Sequence, residues 1–211
     1  MKKLLLFAAV ALFAFTTAHS QEFRLGAKAG VNISSIGGDY VDGLDPLVGF
    51  HVGGLVEIPL AGKFALQPEI LYSSQGAKYV SYLGSDFQEY DSKVLLSYIN
   101  VPIMGKYYII EGLSVELGPQ IGVLVKANQK GDYADGSYDD DVKYFYNSLD
   151  IAIGIGASYR LNNGVFFSLR FNKGLMDISD DDIEYFEDGD LDSYSYKNQN
   201  NVFQISAGYS F

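Results

Sequence analysis

Eight stretches of this chain alternate apolar and polar residues with period two, and one of the two faces carries almost no ionised group. "FRLGAKAGVNI" sets Phe23, Leu25, Ala27, Ala29, Val31 and Ile33 against Arg24, Gly26, Lys28, Gly30 and Asn32. Further runs begin near Val48, Phe64, Ile99, Leu113, Leu149 and Val165. "NVFQISAGYSF" (201–211) is the eighth, with Phe203, Ile205, Ala207, Tyr209 and Phe211 opposite Gln204, Ser206, Gly208 and Ser210. Side chains of a strand point alternately to its two faces, so this pattern describes a sheet whose faces meet different solvents.

The polar faces collect Arg24, Lys28, Lys106, Lys126, Arg160 and Arg170 with Glu57, Glu69, Glu116 and Asp150. A soluble barrel would turn such charges outward and keep its apolar face inside. Runs of about 10 residues instead match the length of a strand that crosses a bilayer. A charge facing lipid at midplane would cost ~2–4 kcal/mol, so these charges belong inside. Only a closed sheet satisfies strand backbones in lipid. The fold expected is all-β: an eight-stranded antiparallel up-and-down transmembrane β-barrel. Eight strands leave a lumen that side chains fill. Those ten charged residues are therefore candidates for lumen ion pairs. Glycines 26, 30, 49, 53, 118, 122, 154 and 156 would give the long charged neighbours room.

Connections alternate in length. "PLAGK", "IEG" and "LNNG" are hairpin-sized, and Asn163-Gly164 is a strong turn signal. The others, near 34–46, 76–93, 128–147 and 174–200, are long, an alternation that places short turns in the periplasm and long loops outside. Pro68, Pro102 and Pro119 lack a ladder donor, so irregular pairing is expected near each.

The start of the chain, "MKKLLLFAAVALFAFTTAHSQ", reads as a secretory signal at 1–20, cleaved after Ser20, with the barrel domain at 21–211. Lys2 and Lys3 precede an apolar run, and Ala18-His19-Ser20 offers small residues at the cleavage site. The competing reading is a buried N-terminal helix. No stretch reaches 18 consecutive apolar residues, so no spanning helix is expected. The chain has no cysteine, hence neither a disulfide framework nor a lipoprotein anchor. A net charge of −11 opposes nucleic-acid binding, which needs a basic surface.

Candidate chemistry is sparse. Beyond the signal the one histidine is His51, mid-strand and inward, which reads as a packed lumen residue before it reads as a general base. A Ser–His–Asp set is spatial and not read from spacing. No G-x-S-x-G stretch occurs, and "GIGASY" lacks the third glycine of a dinucleotide loop. The acidic stretches "GDYADGSYDDD" (131–141) and "DISDDDIEYFEDGDLDSYSY" (177–196) could offer oxygens to a divalent cation. The EF-hand register fails, because from Asp188 the glycine position falls on Ser193 and the final glutamate on Gln199. A solvated loop of like charge is one reading. Contact with a partner or with divalent-bridged outer-leaflet lipid is the other, motivated by the interleaved aromatics. Asp181, Asp182, Tyr185, Phe186, Tyr194 and Tyr196 are the partner-loop candidates. No catalytic, cofactor-binding or metal-binding residue is assigned, no cofactor is expected, and no enzyme is expected.

"QPEILYSSQGAK" (67–78), "INVPIMGKYY" (99–108), "LGPQIGVLV" (117–125) and the terminal "SAGYSF" together resemble the PorT-like outer-membrane β-barrel proteins of Bacteroidetes, over nearly all of the mature chain. The resemblance implies an eight-stranded barrel in the cell outer membrane and no catalytic residues; one branch of that family takes part in protein secretion and gliding. Phe203, Tyr209 and Phe211 resemble the terminal signal read by the barrel-assembly machinery. The expected function is a non-enzymatic structural, adhesion or secretion-accessory barrel that meets outer-membrane lipid and a surface or secretion-system protein. The alternatives are a small-solute channel and, further down, a rim-located lipid or peptide hydrolase.

Overall fold

A computed structural model describes residues 23–38, 43–83, 88–133, 136–179, 182–187, 190–195 and 197–211. The expected signal at 1–20 lies outside the described residues. The strands are β1 (Arg24–Gly38), β2 (Asp45–Pro59), β3 (Phe64–Leu83), β4 (Gln88–Tyr108), β5 (Leu113–Tyr133), β6 (Gly136–Asp141), β7 (Leu149–Arg160), β8 (Val165–Gly174), β9 (Asp182–Glu187), β10 (Asp190–Ser195) and β11 (Asn198–Ser210). Neighbouring strands run antiparallel in the order β4-β3-β2-β1-β11-β8-β7-β5, and a β4–β5 pairing closes the ring at eight. β6 adds to the outer part of β5, and β9 with β10 makes a separate two-stranded sheet.

Closure explains the inverted burial. Outward residues such as Ile70 (60% exposed), Leu117 (57%) and Phe167 (53%) form an apolar belt larger than a monomer exposes to water. Inside, Lys28, Glu69, Glu116 and Arg170 are buried. Three tight turns join strands at one end, where Gly112 and Gly164 take φ of 79° and 89°, a region that only glycine enters freely. The Asn163 side chain accepts from the Val165 amide at 3.1 Å and fixes the last of these turns.

The stretches 76–93 and 128–147, expected as loops, are largely strand: β3, β4 and β5 run on past the apolar belt, and β6 pairs back onto β5. Period two is hidden there because the outer face no longer has to be apolar once the sheet leaves lipid. Pairing is irregular near the prolines, as expected, but without a change of register. Bridging lapses around Pro68, Pro102 and Pro119, but residue counts on the paired strands stay matched, so register is kept. The register shifts fall between Pro46 and His51 and at Ser97/Tyr98.

Inward glycines divide into two kinds. A Cβ on Gly53 or Gly118 would strike the carbonyl oxygen of Ile70 or Ile103 on the next strand, so these serve close strand coiling rather than room for charges. At Gly122 and Gly154 the space is taken by the Asn100 and Asn172 amides, while the Glu116 carboxylate beside Gly156 and the Arg170 stem beside Gly154 use the room as expected.

Candidate functional site

Two places hold the polar chemistry: the lumen and the end of the barrel where the long connections project. The lumen is stacked in layers. Nearest the tight turns, the Glu57 carboxylate accepts from Arg24 Nη1 (2.8 Å), Arg160 Nη1 (2.8 Å), Lys106 Nζ (3.1 Å) and the Tyr108 hydroxyl (2.6 Å). Lys106 and Arg160 each lie 5.6 Å from the Tyr108 ring centre, a cation–π distance. One layer further, Glu69 receives Lys28 Nζ at 2.7 Å and both terminal nitrogens of Arg170 at 2.7 and 3.0 Å. Arg170 Nε also donates to Glu116 at 2.7 Å, so two cations and two carboxylates neutralise one another. Such a cluster tolerates burial because every charge has an opposite partner and directed hydrogen bonds.

Of the ten lumen candidates, Arg24, Lys28, Glu57, Glu69, Lys106, Glu116, Arg160 and Arg170 meet in these two layers. Asp150 points inward but bonds the Asn200 amide at 3.1 Å instead of a cation, and its other oxygen has no partner among the described residues. Lys126 is a correction. Leu124 pairs with Tyr98 and Lys126 with Ser97, so one extra residue, Val125, bulges on β5 and turns Lys126 to the outer face. A bulge of one residue reverses the facing of everything beyond it, which strict alternation cannot foresee.

Above the ions stands His51. Its Nδ1 is 2.8 Å from Asn32 Oδ1 and its Nε2 is 2.8 Å from Ser206 Oγ. The Asn32 amide nitrogen donates to Ser73 Oγ and to the Phe50 and Ser74 carbonyls, so its oxygen faces the imidazole. The hydrogen-bond network thus assigns the proton to Nδ1 and lets Nε2 accept from Ser206. The arrangement has the order of a nucleophile, base and orienting group, which spacing did not reveal. Yet Asn32, His51 and Ser206 are 0%, 1% and 4% exposed, so no substrate reaches them.

The outer half of the lumen holds a buried apolar cluster. Leu96, Tyr98, Leu124 and Ala127 pack with Val142 and Ile178, which come from the long connections. Asp177, inside the acidic stretch, anchors that connection by accepting from the Ser179 and Asn198 amides at 3.0 Å each. Asn147 holds the same segment through the Asp177 and Ser179 carbonyls.

Beyond the plug, part of the acidic stretch is ordered as a hairpin, with Asp182 opposite Ser195, Tyr185 opposite Asp192 and Phe186 opposite Leu191. Tyr194 pairs with Ile183, while Asp181 and Tyr196 lie outside the described residues. The second acidic stretch forms the β5–β6 hairpin. There the Lys130 ammonium, 2.6 Å from Asp139, holds that carboxyl below the usual carboxylate range by hydrogen bonding. Among the described residues no cluster of three His, Cys, Asp or Glu side chains suits a metal ion.

At the other end of the chain, Tyr209 and Phe211 stack edge-on at 5.2 Å, and the Phe211 amide donates to Leu25 at 2.7 Å. Phe203, Tyr209 and Phe211 all face outward.

Residues 18–180 match the outer membrane protein beta-barrel domain. No curated protein matches the sequence. Among solved structures, the chain is similar to Ail, the attachment invasion locus protein of Yersinia pestis, in complex with the heparin analogue sucrose octasulfate. That likeness has 16% identity and a TM-score of 0.48, over 90% of this chain and 99% of that one. It is similar to Neisserial surface protein A at 12% identity and TM-score 0.49, over 92% and 100%. For E. coli outer membrane protein W the values are 15% and 0.33, over 92% and 100%. The chain therefore belongs to the outer membrane protein beta-barrel domain family and resides in the outer membrane.

Proposed function

We propose that this barrel is a non-enzymatic surface-contact protein, of adhesion or secretion-accessory type, that meets a protein partner through the β9–β10 hairpin. The observation that carries the reading is that hairpin: two short strands of acidic, Tyr-rich sequence, paired to each other and not to the barrel wall. Among the described residues neither strand pairs with any strand but the other, so the hairpin edges offer backbone donors and acceptors, and its composition offers aromatics amid carboxylates. The likeness of "INVPIMGKYY" and its companion segments to PorT-like barrels favours a partner in a surface-secretion assembly. The plugged, ion-paired lumen speaks against the solute channel, and the burial of His51 and Ser206 speaks against a hydrolase. Phe203, Tyr209 and Phe211 would serve assembly of the barrel rather than its contacts.

The test is excision of residues 182–195. Asp182 and Ser195 are paired, so a two-residue Gly-Ser link spans the gap, and Asp177 and Ile178 stay to hold the plug. Affinity purification from native outer membrane should then give a heat-modifiable barrel that has lost a protein which accompanies the intact chain. An unchanged set of accompanying proteins would overturn the reading.

A further inference from the structure

Three lysines stand side by side on adjacent strands. Lys78 on β3 is directly opposite Lys93 on β4, and Lys93 is directly opposite Lys130 on β5. Like charges in that position repel, and a chain with net charge −11 has little reason to gather them. The row is flanked by a carboxylate at each end, Asp45 directly opposite Lys78 on β2 and Asp139 opposite Lys130 on β6. Of the three lysines, however, only Lys130 is ion-paired among the described residues, to Asp139, and Lys93 has a lysine on both sides. All three line one open cleft of about 470 Å³. Asp91 and Asp132 share that cleft, but each is two residues further from the membrane than the lysine on its own strand.

The row lies on the outer face of the wall, on the side that faces lipid lower down. On β4 the outward positions descend from Lys93 through Leu95 and Ser97 to Ile99 and Val101, and on β5 from Lys130 to Lys126 and then Val123. Lys126, turned out by the bulge, sits at the edge of the apolar belt. Lys130 is four residues higher, ~13 Å along the strand at ~3.3 Å per residue. With strands tilted by ~35–45°, that is roughly 9–11 Å above the belt. The headgroup layer is about 5–8 Å deep, and flexible lysine stems reach down over apolar surface to meet it.

We propose that Lys78, Lys93 and Lys130, with Lys126 below them, bind the phosphate groups of a phosphorylated glycolipid in the outer leaflet. The lysine row would then be a lateral lipid site, separate from the β9–β10 hairpin and independent of any protein partner. Anionic phosphate between neighbouring lysines turns their repulsion into attraction, and several ammonium groups suit a headgroup with more than one phosphate.

The test uses the full mature barrel in nanodiscs of phosphatidylcholine, with or without bis-phosphorylated lipid A, and counts bound lipid by native mass spectrometry. The intact protein should retain lipid A adducts. Lys78→Ser/Lys93→Ser/Lys130→Ser should lose them while its unboiled gel mobility stays that of a folded barrel, and the triple arginine variant should keep them. Equal retention by the triple serine variant would overturn the proposal. So would equal retention of dephosphorylated lipid A, and displacement by free inorganic phosphate would overturn the lipid assignment in favour of a soluble-anion site.

Discussion

Removing the Arg170 guanidinium is the sharpest perturbation of the lumen. Arg170→Met deletes three hydrogen bonds of 2.7, 2.7 and 3.0 Å and leaves Glu69 with Lys28, while Glu116 loses its ion-pair partner. All four groups are buried, so the residual negative charge has no water to turn to. Breaking a buried pair from one side costs ~3–5 kcal/mol, which raises the unfolding constant by about two to four orders of magnitude. Adding Glu116→Gln should recover part of that loss. Replacing Lys28, Glu69, Arg170 and Glu116 together by Met should come out near wild type, because apolar substitutes for a whole cluster avoid its desolvation. The chain lacks tryptophan, so urea unfolding in lipid vesicles is followed by far-ultraviolet circular dichroism and by the gel shift of the unboiled barrel. A single variant within about 1 kcal/mol of wild type, or a quadruple variant weaker than the single one, would show that the four charges do not stabilise one another as a buried cluster.

Other outcomes test the remaining parts. Leu124→Ala opens a cavity in the apolar plug and should lower stability by ~2–5 kcal/mol in the same urea assay. Charge reversal of Lys126, by contrast, should leave stability within about 0.5 kcal/mol, because the side chain is outward and exposed. Phe211→Asp should lower assembled barrel more than secreted precursor, measured by heat-modifiable gel mobility against total antigen; normal barrel levels would remove the assembly role from the terminal aromatic.

Much of the wall was legible because lipid enforces period two so strictly. Each of Arg24, Lys28, Glu57, Glu69, Lys106, Glu116, Arg160 and Arg170 is inward for the reason the alternation gave: no lipid-facing position could hold it. Which charge meets which was not legible, since Glu57 gathers partners from three other strands and from 33 to 103 residues away. The outer third escaped the pattern for a different reason. Past the belt both faces of β3, β4 and β5 are in water or against the plug, and the constraint that writes alternation disappears. The bulge at Val125 lies at that boundary, which is why Lys126 faces outward although it shares the parity of inward Leu124. Likewise Val142 and Ile178 sit in acidic surroundings, and only the folded connections bring them onto Leu96 and Tyr98.

On the function proposed above, the barrel acts at its outer surface and passes nothing through its lumen. Single-channel recording in planar bilayers tests it most directly. A folded, purified barrel should give no steady conductance steps, because buried ion pairs occupy one part of the lumen and Leu96, Leu124, Val142 and Ile178 pack together in another. Regular open steps from the intact protein, altered by charge reversal at Glu116, would contradict it.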